Sequence, residues 1–223
     1  MLTDFIILIL CAYLLGSLPF GLIIAFAHGK DLRTIGSKNI GATNLARALG
    51  RKWAYFCFCL DMLKGLLPML LATKLAAPCL TISCLLLVLT VGLAAVSGHI
   101  FPIYLKFKGG KGVATTFGMA LGLWPYYTIC ALVAGVVWTL VVVTSGYISL
   151  ASIVASLAFP LALLLAIIMN PNWDFAVLWP LFTAATAIPL IVIIRHRQNI
   201  KRILAGTETK IRKLARNKKP KRL

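Results

Sequence analysis

Residues 113–143 read VATTFGMALGLWPYYTICALVAGVVWTLVVV, an uncharged run half as long again as the roughly 20 residues that cross a bilayer. Gly122 and Trp124-Pro125 interrupt it. Read as one helix or as two, it sets the number of crossings, because each crossing moves the chain to the other face. Charge decides. Six Lys and Arg lie in 28–52, three in 102–112 and twelve from Arg195 onward, with only Lys64 and Lys74 elsewhere. Basic regions flanking apolar spans gather on the cytoplasmic side. Two spans separate the first two regions, so an even number must separate the second from the third. The run therefore breaks near Trp124-Pro125 into a short helix and a full one.

The remaining segments follow in order. Phe5 to Ala27 spans, with Pro19 placed to kink it because proline lacks a donor and clashes with the preceding turn. Trp53 to Ala72, Cys79 to Ile100, Tyr147 to Met169 and Phe175 to Ile194 complete the set. The fold class is an all-α integral membrane protein of about seven transmembrane helices, N-terminus periplasmic and C-terminus cytoplasmic. The first apolar segment lacks a basic leader region and a cleavage signature, so it is expected to stay as a helix. Residues 1–210 read as one membrane domain and 211–223 as a basic cytoplasmic tail, expected to be disordered on anionic lipid.

Composition agrees. The chain is 61% apolar with a mean hydropathy of +0.95, and its formal charge is +18 because five acids face 23 Lys and Arg. On a membrane protein that excess points to loops near anionic lipid, and no nucleic-acid motif accompanies it. The six cysteines (11, 57, 59, 79, 84 and 130) lie in or beside apolar segments without CxxC pairing or histidines at metal-ligand spacing. They read as reduced packing residues, and neither metal nor cofactor is expected.

Chemistry concentrates before the decisive run, in Gly98-His99-Ile100-Phe101-Pro102 through Lys106-Phe107-Lys108-Gly109-Gly110-Lys111-Gly112. Glycines let successive N–H groups converge on an anion while lysines supply charge. A basic loop that only sets topology is the plain alternative. A Walker loop is excluded, since Leu105 stands where its first glycine belongs and Gly112 follows Lys111. A short helix starting after Lys111 would aim its positive end at the same place. Once the basic regions share a face, Ser37, Asn39, Thr43, Asn44 and Arg47 can meet these lysines and Arg195, His196, Arg197 and Asn199.

Arg47 suits bidentate phosphate recognition, and His196 suits proton transfer, with interfacial snorkelling as its plain alternative. His99 reads as structural or pocket-lining, and His28 as an ordinary loop residue. Asp61 and Lys64, three apart on one helix face, are expected to neutralise each other inside the bundle or to serve function there. An anion carrier would want charge near the midplane and an internal repeat. Only this pair offers the first, and the second is not evident.

Gly16-Ser17-Leu18-Pro19-Phe20-Gly21, Gly36-Ser37-Lys38-Asn39-Ile40-Gly41-Ala42-Thr43-Asn44 with Arg47, Asp61-x-x-Lys64-Gly65, the lysine-glycine stretch, Gly146-Tyr147-Ile148-Ser149-Leu150-Ala151-Ser152-Ile153, and Arg195-His196-Arg197-Gln198-Asn199-Ile200 through Gly206-Thr207-Glu208 resemble the motifs of the bacterial acyl-phosphate:glycerol-3-phosphate acyltransferases. The resemblance covers nearly the whole chain to Lys210. It implies a multi-pass enzyme of the bacterial inner membrane, with its active site on the cytoplasmic face. Such an enzyme moves a fatty acyl group from acyl phosphate to the 1-hydroxyl of glycerol 3-phosphate, giving lysophosphatidate and inorganic phosphate in phospholipid synthesis. It implies catalytic roles for Ser37, Arg47, Lys111, His196 and Asn199. Substrate or phosphate binding would fall to Asn39, Thr43, Lys106, Gly109, Gly110 and Gly112. Membrane lipids are the expected surroundings, and oligomeric state is open.

The chain departs from the pattern twice. Lys38 stands where glycine is usual and Ile40 where proline is usual, and Lys38 argues against positive φ at its position. The His-x-x-x-x-Asp pair of thioester-using acyltransferases is absent, since Arg33, Tyr104 and Lys201 lie five beyond the three histidines.

Overall fold

The computed structural model describes residues 1–77 and 81–211. Nine α-helices are found there, with no strand: α1 (Leu2–Gly16), α2 (Phe20–Phe26), α3 (Ala42–Leu49), α4 (Arg51–Ala76), α5 (Ile82–Ile100), α6 (Val113–Gly122), α7 (Tyr126–Ser145), α8 (Ile148–Met169) and α9 (Phe175–Leu204). Six stretches are long and apolar enough to cross a membrane, with α1 and α2 counted as one broken helix over Leu2–Phe26. The short helix expected before Trp124-Pro125 is α6. Its 10 residues rise only about 15 Å, half the hydrocarbon thickness.

Pro19 acts as the sequence suggests. It separates α1 from α2 because it has no donor to continue the ladder, and at this break the Leu18 carbonyl accepts from Phe20 N–H at 3.1 Å and from Lys64 Nζ at 3.0 Å. Proline is tolerated at 68 in α4, 160 in α8, and 180 and 189 in α9, because neighbouring helices and local adjustment re-satisfy the freed carbonyls. α9 starts on Asp174, whose Oδ1 accepts Ala176 N–H at 2.8 Å.

The end of α9 corrects the sequence reading. The helix was expected to stop at Ile194, yet it runs to Leu204. Charge marks where the chain leaves the apolar layer, not where the helix ends. Residues 195–204 contain good helix formers and no breaker before Gly206, which takes φ +68. His196 and Asn199 are therefore helical and three apart on one face.

α6 lies against α4 at backbone distance. A Cβ at Gly65 would fall 2.1 Å from Thr115 O, and one at Gly118 would fall 1.9 Å from Met62 O, so larger residues would push the helices apart. α1 packs on α5, and α7, α8 and α9 pack in sequence, with Tyr127, Met69, Met119, Leu163 and Leu181 filling the core. A second core of Leu22, Ile24, Leu32, Ile40, Leu45 and Cys57 sits beneath residues 27–50 and fixes that loop to α4. Outward faces are apolar, as at Leu67, Leu71, Val136, Leu140, Leu161 and Ile168, the surface a bilayer covers.

Cys11, Cys57, Cys59 and Cys130 are free, but Cys84 is disulfide-bonded, so the all-reduced reading fails there. Cys84 lies at the end of the bundle opposite the basic loops, and disulfides persist on an oxidising face. Cys79 and the tail from 212 lie outside the described residues.

Candidate active site

Glu208 organises the site. Beyond α9 the chain turns at Gly206, and Glu208 N–H bonds back to Arg202 O at 3.1 Å. Its buried carboxylate then accepts from Asn199 Nδ2 (2.7 Å), Ser149 Oγ (3.0 Å) and Arg202 Nε (2.6 Å). Burial acts to raise its pKa, but the hydrogen bonds from Arg202, Asn199 and Ser149 outweigh that and hold it below the ordinary value. Asn199, fixed by Glu208, presents Oδ1 to Lys111 Nζ at 2.5 Å. The second loop, α8 and α9 are thereby joined through one carboxylate.

The lysine-glycine stretch is built otherwise than its glycines suggest. The N–H groups of Gly109 and Gly110 donate to Ile100 O (3.2 Å) and His99 O (3.1 Å), so they cannot converge on an anion. Gly110 is needed for close approach, because a Cβ there would fall 2.1 Å from His99 Nε2. Among the three glycines only Gly112 has positive φ, while Lys106 and Phe107 take φ +51 and +62. Arg195 donates to Gly110 O at 2.7 Å and Gly109 O at 3.2 Å. Lys106 stands exposed, with no side-chain hydrogen bond among the described residues tying it to the cluster.

In the first loop Asn44 is the structural centre. Its Oδ1 accepts Ser37 N–H at 3.0 Å, and its Nδ2 donates to the carbonyls of Leu32, Ile35 and Asn39. Asn39 Oδ1 accepts Gly41 N–H at 2.9 Å, and Thr43 is partly buried in the first turn of α3. Lys38 has φ +58, so the left-handed conformation survives without glycine. The Asn44 bonds on both sides hold it there against a strain of about 1 kcal/mol. Arg47 packs its stem by Gly36, where a Cβ would fall 3.2 Å from Arg47 Cδ. The next residue, Ser37, has a hydroxyl with no hydrogen-bond partner among the described residues.

Arg47, Lys111, Arg195 and Arg202 interact through their charges with only Glu208 opposing them. Burial, then the repulsion of Arg202, Arg47 and Arg195, pushes Lys111 down to about 8 against the pull of Glu208. Burial also lowers Arg47, whose Nε is the buried side-chain atom without a hydrogen-bond partner among the described residues. An unpaired buried donor costs about 1–3 kcal/mol, and it marks where an acceptor is missing. His196 is 2% exposed, with Nδ1 2.8 Å from Val192 O. A carbonyl only accepts, so Nδ1 carries the hydrogen and a neutral ring keeps its lone pair on Nε2.

Next to this cluster an apolar cavity of about 260 Å³ opens between α6, α7, α8 and α9. Val113 and Thr116 of the first turn after Lys111, Val192, Gly135, Trp138 and Phe159 line it. Ser152, one turn from Ser149, takes the Trp138 Nε1–H at 3.3 Å on the wall. The arrangement can hold phosphate charge and an apolar chain side by side.

The structure thus brings Ser37, Arg47, Lys111, His196 and Asn199 to one end of the bundle and leaves Lys106 outside. Sequence reasoning missed Glu208, Ser149 and Arg202 as site builders. A signal was available, since Glu208 is the one acid among twelve basic residues from Arg195 onward.

A polytopic helical membrane protein with a cationic, apolar-walled site is the class these features define. A Glycerol-3-phosphate acyltransferase family profile matches residues 6–206. Relatives bearing that name include those of Geotalea daltonii (42% identical, covering 93% of this chain and 97% of the relative) and Aquifex aeolicus (43%, covering 90% and 96%). The crystal structure of PlsY (YgiH), an integral membrane glycerol 3-phosphate acyltransferase in its glycerol 3-phosphate form, superposes with a TM-score of 0.83 at 38% identity, covering 97% of this chain and all of that one. The lysophosphatidic acid form superposes at 0.77, covering 93% and 95%. The chain belongs to the glycerol-3-phosphate acyltransferase family.

Proposed function

We propose that this protein transfers a fatty acyl group from acyl phosphate to the 1-hydroxyl of glycerol 3-phosphate, releasing lysophosphatidate and inorganic phosphate. The observation that carries the reading is the unpartnered Arg47 Nε, within charge range of Lys111, together with an apolar cavity lined by Val113 and Val192, two residues after Lys111 and three before Arg195. An anion and an acyl chain are the two parts of each lipid-phosphate species in the reaction. The solved relative has a glycerol 3-phosphate form and a lysophosphatidic acid form, which supports acceptor and product. The donor rests on the absent His-x-x-x-x-Asp pair and on the family resemblance.

Arg47 and Lys111 hold phosphate oxygens through charge-assisted hydrogen bonds. Ser37 donates a hydrogen bond from its free hydroxyl, with Asn39 and Thr43 beside it, and Asn199 orients Lys111. Gly109, Gly110 and Gly112 shape the loop that presents Lys111. The glycerol 3-phosphate 1-hydroxyl oxygen attacks the acyl carbonyl carbon, and the carbon–oxygen bond to phosphate breaks with its electron pair leaving on phosphate. The hydroxyl proton goes to His196 Nε2 or to the departing phosphate. Because the mixed anhydride is already activated, stabilising the leaving charge contributes more than a strong base. The acyl chain lies in the cavity between α6 and α9.

The basic loops 28–52 and 102–112 and the end of α9 face the cytoplasm, with α6 completing a seventh, partial crossing and the N-terminus outside. The Cys84 disulfide at the opposite end supports this orientation. Purified protein given glycerol 3-phosphate should form lysophosphatidate from palmitoyl phosphate and not from palmitoyl-CoA. Efficient use of the CoA ester overturns the donor, and turnover of neither overturns the reaction.

A further inference from the structure

A second buried polar cluster lies apart from the cationic one, where α1, α4, α5 and α6 meet. Asp61 and Lys64 are 4% and 3% exposed and pair at 2.9 Å, and Lys64 also donates to Leu18 O at the α1–α2 break. His99 joins them, its Nδ1 lying 3.6 Å from Asp61 Oδ1 and 3.1 Å from Thr115 Oγ1. The opposite edge of the same ring abuts the loop backbone, since Nε2 occupies the space where a Cβ of Gly110 would stand. The His99 carbonyl also holds Gly110 N–H. From the other side Arg195 grips the carbonyls of Gly109 and Gly110. The backbone immediately before Lys111 is therefore clamped between one imidazole and one guanidinium.

We propose that the Asp61–Lys64–His99 cluster is the positioning element for the glycerol 3-phosphate end of the site, acting on Lys111 through the contact of the His99 ring with Gly110. The inference deepens the reading above and rests on it. An imidazole held only by packing could turn about its Cβ–Cγ bond. Here Thr115 and the charge-compensated Asp61 fix the ring plane and which edge faces Gly110, so the loop has one resting place. Gly110 then has to be glycine because the ring is fixed there. Displacing the loop by an ångström would move Lys111 Nζ off the phosphate while leaving the apolar cavity untouched, and misplacement on that scale costs on the order of a hundredfold in rate.

The test uses full-length protein in liposomes with glycerol 3-phosphate and palmitoyl phosphate. His99→Asn keeps a polar atom near the Nδ1 position but removes the edge against Gly110. It should raise KM for glycerol 3-phosphate tenfold or more and leave KM for palmitoyl phosphate within twofold. Gly110→Ala should lose activity to a similar degree, and Gly110→Ala with His99→Asn should recover several-fold over Gly110→Ala alone, because the smaller side chain gives the new methyl room. A purely structural cluster would change both KM values together and show no such recovery. Should His99→Asn fail to fold, Thr115→Val tests the same clamp, with a several-fold rise confined to glycerol 3-phosphate as the supporting result. Wild-type kinetics in the folded variants, or equal change toward both substrates, overturns the proposal while the reaction stands. A wild-type protein inactive with both substrates overturns the reaction and the proposal with it.

Discussion

The two buried polar clusters differ in how their charge closes. Around Asp61 one carboxylate faces one lysine at 2.9 Å and a neighbouring histidine, and the lysine's further donor meets the Leu18 carbonyl at the α1–α2 break. Around Glu208 one carboxylate faces Arg47, Lys111 and Arg202, and Arg47 Nε has no partner among the described residues. The first cluster is compensated and closed. The second carries surplus positive charge and a spare donor, which is what a site completed by an anion requires. Burial alone does not separate framework from binding site. The balance of charges and donors does.

Breaking the closed cluster should have the largest effect. Asp61→Asn leaves Lys64 buried without its counter-charge, and removing one partner of a buried pair costs about 3–5 kcal/mol. Replacing both, as Asp61→Leu with Lys64→Met, removes both charges and should restore much of the stability. Thermal unfolding in detergent measures this. If the double variant is no more stable than Asp61→Asn, the pair is not the compensated unit described.

Opening the other cluster should hurt catalysis and spare folding. Arg47→Ala and Lys111→Ala should each lower kcat/KM for glycerol 3-phosphate by on the order of 2 kcal/mol or more, with the unfolding temperature held or raised in Arg47→Ala and lowered modestly in Lys111→Ala, which leaves Asn199 Oδ1 without its lysine. Arg47 leaves no buried partner unsatisfied, so its loss costs the fold little. Near wild-type kcat/KM in either variant would mean that the surplus charge does not hold phosphate.

These contrasts also show which parts of the fold the sequence made legible. The break in 113–143, the kink at Pro19 and the Asp61–Lys64 pair follow from helix length, proline chemistry and the cost of buried charge, all of which act locally. The end of α9 did not, because a rise in charge marks the membrane surface while the helix continues to Gly206. The direction of the Gly109 and Gly110 N–H groups did not either. Glycine content shows that a backbone comes close to something, and only the His99 ring and the α5 carbonyls show to what. Lys38 makes the same point from the other side, since the Asn44 side chain holds it at positive φ by bonding Ser37 N–H before it and Asn39 O after it.

The cavity, lined by Val113 close after Lys111 and by Val192 one turn before His196, sharpens the contrast further. A Cβ added at Gly135 would meet the Phe117 ring at 3.7 Å, ordinary contact, so a larger side chain fits by filling cavity space. Gly135→Leu should raise KM for palmitoyl phosphate several-fold, affect a shorter acyl phosphate less, and leave KM for glycerol 3-phosphate unchanged. Equal effects on long and short donors would place the chain elsewhere.

The smallest effect concerns protons. Lys111 sits at about 8 in the unliganded site, pushed down first by burial and then by Arg202, Arg47 and Arg195. It must be charged to hold phosphate, so kcat/KM for glycerol 3-phosphate should be level below that value and fall as pH rises through it. The sign for stability is the opposite. A lysine lowered in the folded state prefers to be neutral there, so the unliganded protein gains stability as pH rises from about 8 toward the ordinary lysine value of about 10.4. A bound phosphate reverses that preference and should stabilise the protein more at pH 7 than at pH 9. Glu208 is the one charge pulling Lys111 upward, so Glu208→Gln should move the alkaline limb to lower pH, while Lys111→Arg, always charged, should abolish it. An alkaline limb that stays in place in Lys111→Arg would assign the titration to another group and remove Lys111 as the pH-sensitive member of the open cluster.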